Sequence, residues 1–212
     1  MASLEEIAFK YGTDKRRSRH DYVRTYEELF RHWQNVPMKM LEIGVYNCSS
    51  HNMWVDYFTK AQVYGIDIND AQFKQYERPR LHLDKVDQGE IHELNAYSMM
   101  HGPWSIIIDD GSHKASHQKL SFEVLWEYLK VGGYYVIEDT HSSYWPHLID
   151  CETTAMDYLL TVTDDMCSAP HYNGYYANPA VRKHHEKLNK WQQEIEYIRY
   201  QMGLCVIKKR GA

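Results

Sequence analysis

Short apolar runs alternate with helical stretches along most of the chain, and this alternation limits the folds that the sequence can adopt. Five runs have the length of strands: Met38–Val45, Gln62–Ile68, Leu81–Val86, Ser105–Ile108 and Gly133–Ile137. The first and the fourth are almost continuously apolar, which is typical of strands buried on both faces of a parallel sheet. The alternation predicts a doubly wound α/β sandwich.

The stretches around these strands have the polarity of helices. We predict helices at Leu4–Lys10, Tyr22–Trp33, His51–Lys60, Asp70–Tyr76, Gly89–Met100 and Lys114–Lys130. The last has an apolar face that includes Leu129, and Gly132 and Gly133 follow as its stop signal. The stretch from Thr163 to Asn178 is rich in Tyr, Asp, Pro and Asn, and predicts a long active-site loop.

The C-terminal stretch has a different pattern. Glu194–Tyr200 and Leu204–Lys208 are strand-like runs separated by Gln-Met-Gly, which predicts a hairpin. An antiparallel hairpin that closes a parallel sheet is the signature of the class I methyltransferase variant of this fold. We therefore expect an α/β, Rossmann-like sandwich of one domain over residues 1–212. Its sheet is predicted to be seven-stranded and mostly parallel, with helices on both faces.

Composition excludes several classes of protein. The formal net charge of −5 disfavours a general nucleic-acid binder, which needs a basic face to neutralise phosphates. No window is apolar enough to cross a bilayer, and the N-terminus does not resemble a signal peptide. The four cysteines show no CxxC pairing or metal-ligand spacing. The simplest expectation is a cytoplasmic protein without a membrane span.

All five predicted strands deliver acidic residues to one edge of the sheet. The residues that end or follow them are Glu42 and Gly44, Asp67, Asp87 and Gln88, Asp109 and Asp110, and Glu138 and Asp139. In an open parallel sheet, ligands bind outside the carboxyl ends of the strands. Because clustered carboxylates repel one another unless cations or hydrogen-bond donors hold them, this edge is expected to bind a ligand.

The first three strands predict a nucleoside site. Gly44 allows close approach of a ligand to the backbone, and Asp67 can accept hydrogen bonds from both ribose hydroxyls. The chain lacks the GxGxxG motif at this point, which disfavours a nicotinamide dehydrogenase. Glu42 suits a ligand with a cationic amino-acid portion.

The last two strands predict a metal site. Asp110, Glu138 and Asp139 offer three hard oxygen ligands of the kind that Mg²⁺ prefers. His113 follows closely, and its ordinary pKa of about 6.5 suits a general base. Other interpretations are a turn in which Ser112 caps the next helix, and a histidine that merely lies at the helix start.

Several motifs together resemble a known family. These motifs are LEIGV, Met53-Trp54 and Tyr57-Phe58, GIDI, DQ, IIIDDGSH and YYVIEDTHSSYW. They resemble the metal-dependent sugar O-methyltransferases of macrolide and rhamnosyl-glycoside tailoring. YGTDK, with His20 and Tyr22 after it, resembles the cofactor-covering segment of that family. The similarity extends from about Ile7 to Tyr144.

The resemblance implies a role for each matched residue. His113 is expected to be the catalytic base. The metal ligands are expected to be Asp110, Glu138 and Asp139, for Mg²⁺ or Mn²⁺. The residues around S-adenosylmethionine, whose product is S-adenosylhomocysteine, are expected to be Thr13, Lys15, Glu42, Gly44, Asp67, Asp87, Gln88 and Asp109. Residues 1–36 would then cover the cofactor, and 37–212 would form the core, with an active-site loop around 141–180. Cys48 departs from the family, which usually has glycine there.

The implied reaction is methylation of a sugar hydroxyl, with a deoxyhexose such as rhamnose, in a glycan or glycoside, as the acceptor. Substrate contacts are expected from His141, Tyr144 and Trp145, although His141 could instead bind the metal or do neither. An aromatic wall is expected from Tyr144, Trp145, His147, Tyr172, Tyr175 and Tyr176. An equal alternative is that these tyrosines only order a loop. Two other functions stay open: a catechol-type O-methyltransferase, and a non-catalytic nucleotide- or sugar-binding module. The sequence also leaves open a homo-oligomer, and a module of a larger glycan-synthesis protein.

Overall fold

The computed structural model describes residues 2–71, 73–168 and 188–211. These residues form one seven-stranded sheet in the order β3-β2-β1-β4-β5-β7-β6. The strands are β1 Lys39–Ile43, β2 Gln62–Asp67, β3 Leu81–Lys85, β4 Trp104–Asp109, β5 Leu129–Glu138, β6 Ile195–Gln201 and β7 Leu204–Lys209. Strands β1 to β5 pair in parallel, whereas β7 pairs antiparallel with β5 and β6. The predicted sheet and C-terminal hairpin are confirmed.

Helices cover both faces of the sheet. They are α1 Leu4–Tyr11, α2 Tyr22–Phe30, α3 Ser49–Tyr57, α4 Ile91–His101, α5 Ala115–Trp126, α6 Ala155–Cys167 and α7 Lys190–Glu194. Helices α1 to α3 pack on one face, and α4 to α7 pack on the other. None of the helices within the described ranges is long and apolar enough to cross a bilayer.

Strand β4 lies between these two layers, and all six of its residues are buried. Ile106 and Ile108 point to the layer of α1 to α3, whereas Ile107 points to the opposite layer. Each fully buried isoleucine side chain contributes about 1.5–3 kcal/mol of hydrophobic stabilisation. Burial on both faces explains why the strand is almost continuously apolar.

The predicted C-terminal end of the helix Lys114–Lys130 was wrong. Helix α5 ends at Trp126, and Leu129 lies in β5, where it pairs with Trp104. The buried Lys209 Nζ donates a hydrogen bond to the Trp126 carbonyl oxygen at 2.8 Å and so satisfies the end of the helix. Gly132 and Gly133 therefore do not stop a helix but lie inside the strand. Leu129 suits either periodicity, and sheet pairing decides between them.

Two other predictions need correction. Within Asp70–Tyr76 the described residues form only a short 3-10 turn, Phe73–Tyr76. The first residues of the predicted loop after Thr163 belong to α6, which begins with a capping box between Thr154 and Asp157. The remaining part of that loop, with Tyr172, Tyr175 and Tyr176, lies outside the described residues.

Candidate functional site

The candidate site lies where the chain order of the strands reverses, between β1 and β4. This is the position at which open α/β sheets bind ligands. Gly44 follows β1 with a φ of +94°, and a Cβ atom there would lie 2.0 Å from the Asp110 carbonyl oxygen. The loops after β1 and β4 therefore meet so closely at the site that only glycine fits between them.

A cavity of about 630 Å³ opens beside Gly44. Of the residues predicted to bind the cofactor, Gly44, Asp67, Asp87 and Gln88 line it. Asp67 Oδ2 accepts a hydrogen bond from the Val45 amide at 2.8 Å, which fixes this carboxylate at the cavity wall. A cavity of this size is typical of small-molecule sites.

Two other predicted cofactor residues lie behind the cavity wall. Asp109 is fully buried and accepts a hydrogen bond from Gln88 Nε2 at 2.7 Å. Burial raises the pKa of Asp109 to about 7. Glu42 is also fully buried, and its Oε2 accepts a hydrogen bond from Trp54 Nε1 at 2.9 Å. In this structure neither carboxylate lines the cavity; Asp109 holds Gln88, which does line it, and Glu42 contacts the core residue Trp54.

A second cavity of about 620 Å³ lies between the N-terminal segment and the loop after β1. Thr13, which was predicted to cover the cofactor, lines it together with His20. The two cavities share Gly44, Tyr46, Asn47 and Asp110. They therefore form adjoining parts of one site that has Asp110 at the junction.

The predicted metal ligands gather around Asp110. Ligand atoms of Asp110, His113 and Asp139 lie within 4.8 Å of one another, and so do those of Glu42, Asp110 and Glu138. His113 Nε2 is 3.7 Å from Asp139 Oδ2. His113 and Asp139 both adopt left-handed backbone conformations, at φ values of 58° and 52°. Such strain in non-glycine residues is concentrated at functional sites.

Each carboxylate of this group has protein donors. Tyr22 OH donates to Asp139 Oδ1 at 2.7 Å, and Tyr26 OH donates to Glu138 Oε1 at 2.5 Å. Lys15 Nζ donates to Glu138 Oε2 at 2.7 Å. Lys15, predicted at the cofactor, therefore lies among the metal ligands.

The donor set fits a divalent cation. Burial raises the pKa of Asp110 to about 6, against the effect of Lys15, which lowers it. Four carboxylates, those of Glu42, Asp110, Glu138 and Asp139, belong to the two overlapping groups. One lysine ammonium cannot balance them all, and hard carboxylate oxygens are the ligands that Mg²⁺ and Mn²⁺ prefer.

The predicted substrate residues form an exposed aromatic surface. The rings of His141 and Trp145 are 5.0 Å apart, and His20 stacks over His141 at 6.5 Å. Tyr144 is 74% exposed and Trp145 is 47% exposed. Trp145 also stacks on His147 at 5.9 Å.

Sequence reasoning missed Tyr26, named Tyr22 only as part of the covering segment, and misplaced Ser112. Tyr22 and Tyr26 are four residues apart on α2, and this spacing places both hydroxyls on one helix face. The spacing is visible in the sequence but does not by itself distinguish carboxylate partners from core packing. Ser112 is not the cap of α5, because the helix begins at Ala115 after the left-handed His113. Ser112 Oγ instead hydrogen-bonds His117 Nδ1 at 2.8 Å.

No protein-family model matches the chain. It is 34% identical over 195 residues to 8-demethyl-8-alpha-L-rhamnosyl tetracenomycin-C 2'-O-methyltransferase of Streptomyces olivaceus. This alignment covers 86% of the chain and 51% of that protein. It is 36% identical over 151 residues to demethylmacrocin O-methyltransferase of Streptomyces fradiae, which covers 68% of the chain and 38% of that protein. The chain thus spans about half the length, or less, of these curated relatives.

Among solved structures, the chain is similar to the MycE methyltransferase of the mycinamycin biosynthetic pathway, in complex with Mg and SAH. The TM-score is 0.85 with 26% sequence identity, over 99% of this chain and 55% of that one. The same fold, at 14% identity and a TM-score of 0.52, occurs in the TDP-rhamnose 3'-O-methyltransferase CalS11.

Proposed function

The chain belongs to the class I, metal-dependent sugar O-methyltransferases, and from this premise we propose that it transfers a methyl group from S-adenosylmethionine to a sugar hydroxyl. The observation that carries the proposal is the junction at Asp110. There the cavity lined by Asp67, Asp87 and Gln88 adjoins the carboxylate group that contains His113.

The cofactor is proposed to lie in the 630 Å³ cavity. Asp67 would accept hydrogen bonds from the ribose, and Asp87 and Gln88 would contact the adenine. Asp109 would hold the Gln88 side chain in place through their hydrogen bond. Thr13 and the segment around it would cover the cofactor, and Glu42 would contribute negative charge behind its amino-acid portion.

Asp110, Glu138 and Asp139 are the residues proposed to hold Mg²⁺ or Mn²⁺. When bound, a divalent ion lowers the pKa of a coordinated hydroxyl and orients the acceptor. Tyr22 and Tyr26 keep two of the carboxylates in position through hydrogen bonds. The presence of Mg in the MycE complex supports a divalent ion as the group bound there.

His113 is the proposed general base. Asp139 lies 3.7 Å from His113 Nε2 and would stabilise the imidazolium that forms on proton transfer. The acceptor oxygen forms a bond to the methyl carbon as the carbon–sulfur bond breaks, and its proton moves to His113. S-adenosylhomocysteine leaves with the electron pair on sulfur. Much of the rate would come from positioning, because the sulfonium methyl is already activated.

The acceptor is proposed to be a deoxyhexose such as rhamnose. The exposed rings of Tyr144 and Trp145 suit the apolar face of such a sugar, and His141 could hydrogen-bond its hydroxyls. Two relatives are named for rhamnosyl glycoside substrates, which supports a deoxyhexose as the acceptor. The relatives are about twice as long as this chain. That the chain is a module of a larger glycan-synthesis protein stays a proposal, as does its assembly into a homo-oligomer. A cytoplasmic location is likewise a proposal.

The proposal predicts that His113→Ala retains cofactor binding but loses most turnover. Calorimetric titration should give micromolar affinity for S-adenosylhomocysteine, about −8 kcal/mol, in both the wild type and the variant. Turnover should fall about 10²–10⁴-fold, the usual contribution of a general base. The assay follows S-adenosylhomocysteine formation with methyl rhamnoside or catechol, with Mg²⁺ or with excess chelator.

His32→Ala serves as the control, because His32 is exposed in the 3-10 turn Arg31–Trp33, where its ring contacts Trp33, and it lines neither cavity of the site. It should match the wild type in every measurement. Full turnover in excess chelator, or in the His113 variant, would contradict the mechanism. Faster turnover of catechol than of the rhamnoside would show that the acceptor is a catechol-type compound rather than a deoxyhexose.

A further inference from the structure

A buried lysine from the N-terminal segment lies within the carboxylate group. The Lys15 side chain is 1% exposed, and its Nζ is 2.5 Å from Asp110 Oδ2 and 2.7 Å from Glu138 Oε2. Glu42 Oε1 is 3.3 Å away. Among the described residues, Lys15 is the one Lys or Arg that pairs with these three carboxylates.

Burying charges that have no partner of opposite charge costs much more free energy than burying paired charges. Glu42 and Glu138 are almost fully buried, so their mutual repulsion is poorly screened. Lys15 Nζ lies within 3.3 Å of an oxygen of each of the three carboxylates, so its ammonium offsets their negative charge directly.

The backbone holds Lys15 in place before any ligand binds. Its carbonyl oxygen accepts a hydrogen bond from the Val23 amide at 3.0 Å, at the start of α2. The His20 amide donates to the Asp14 carbonyl oxygen at 3.1 Å, which closes the turn that follows. Tyr26, farther along α2, donates to the same Glu138 carboxylate. The segment between α1 and α2 is thus built around this ion cluster.

We propose that Lys15 is a positioning residue, a built-in cation that holds Glu42, Asp110 and Glu138 together in the metal-free protein and competes with a divalent ion for oxygens of Asp110 and Glu138. The competition rests on the proposed metal-dependent function, whereas the role in the metal-free protein does not. Lys15 would thereby set how tightly the metal ion binds. It would also link metal binding to the position of the covering segment.

Lys15→Met tests this proposal, because methionine keeps most of the length of the side chain and removes its charge. In excess chelator the variant should melt roughly 10 °C below the wild type, as expected for a broken buried ion cluster. Saturating Mn²⁺ should restore at least half of that loss. Calorimetry should show that Mn²⁺ binds the variant at least tenfold more tightly than the wild type.

Lys10→Met is the matched control, because Lys10 is an exposed lysine of α1 that pairs with Asp56. It should show no Mn²⁺-dependent recovery and no change in Mn²⁺ affinity. A Lys15→Met variant as stable as the wild type in chelator would overturn the proposal. So would an equal loss of stability with and without Mn²⁺, since that is the behaviour of a lost packing contact.

A double variant keeps the test decisive if Lys15→Met fails to fold. Lys15→Met with Glu138→Gln removes one buried negative charge together with the ammonium, so it should melt above Lys15→Met alone in chelator. A double variant that is no more stable than the single one would refute the charge argument. If the wild type binds no divalent ion, the metal-dependent function fails, but the comparison in chelator still tests Lys15.

Discussion

Gly44→Ala tests whether the contact between the loops after β1 and β4 builds the site. The φ of +94° at Gly44 costs a non-glycine residue about 1–2 kcal/mol. The new Cβ would also lie 2.0 Å from the Asp110 carbonyl oxygen, well inside the usual carbon–oxygen contact distance of about 3.3 Å. Since the atoms that this Cβ would meet belong to the backbone of Asp110 and Gly111, the two loops must separate by about 1 Å.

Overpacking of this kind costs about 1–3 kcal/mol beyond the backbone strain. We therefore expect Gly44→Ala to lower the free energy of unfolding by about 2–5 kcal/mol. Because Asp110 must move, affinity for S-adenosylhomocysteine should fall as well. Urea denaturation followed by circular dichroism measures the first effect, and calorimetry measures the second.

Gly132→Ala is the matched control. Gly132 lies in β5 and lines neither cavity; it has a φ of +75°, but a Cβ atom there meets nothing within 4 Å. This variant should lose only the strain of about 1–2 kcal/mol and keep its cofactor affinity. Equal losses of stability in the two variants, with cofactor affinity unchanged in both, would refute the argument that the loop contact forms the site.

Two other features give simple tests. Burial opposes ionisation of Asp56, but hydrogen bonds from basic side chains and a tyrosine outweigh it and hold the pKa of Asp56 well below its ordinary value. This stabilisation of the folded state is therefore present above about pH 4 and lost as the pH falls lower. Asp56→Asn should reduce the pH dependence of the urea unfolding midpoint across that range. Burial raises the pKa of Cys48 to about 12, and Cys205 is also buried, whereas Cys151 and Cys167 are accessible. A thiol reagent should thus modify Cys151 and Cys167 in the native chain and Cys48 and Cys205 only after denaturation; rapid native labelling of Cys48 would show that its burial is wrong.

The sequence alone was sufficient to predict the sheet and the edge that carries the site. Strand β4 is almost continuously apolar because both of its faces are buried, and that pattern is visible in the sequence. Acidic residues at the strand ends had to meet at one edge, since parallel strands share their carboxyl ends. Asp110 and Asp139 were predicted in this way, as was their neighbour His113.

Only the tertiary structure decided which groups balance those charges. Lys15 contacts Asp110 across 95 residues and Glu138 across 123 residues of sequence. Local periodicity carries no information about such contacts, because the partners are chosen by packing of α1 and α2 against the sheet. The same limit applies to Leu129, whose place in a strand rather than a helix depends on pairing with Trp104. Local patterns determine the elements, whereas the pairing of buried charges depends on distances that exist only in the folded chain.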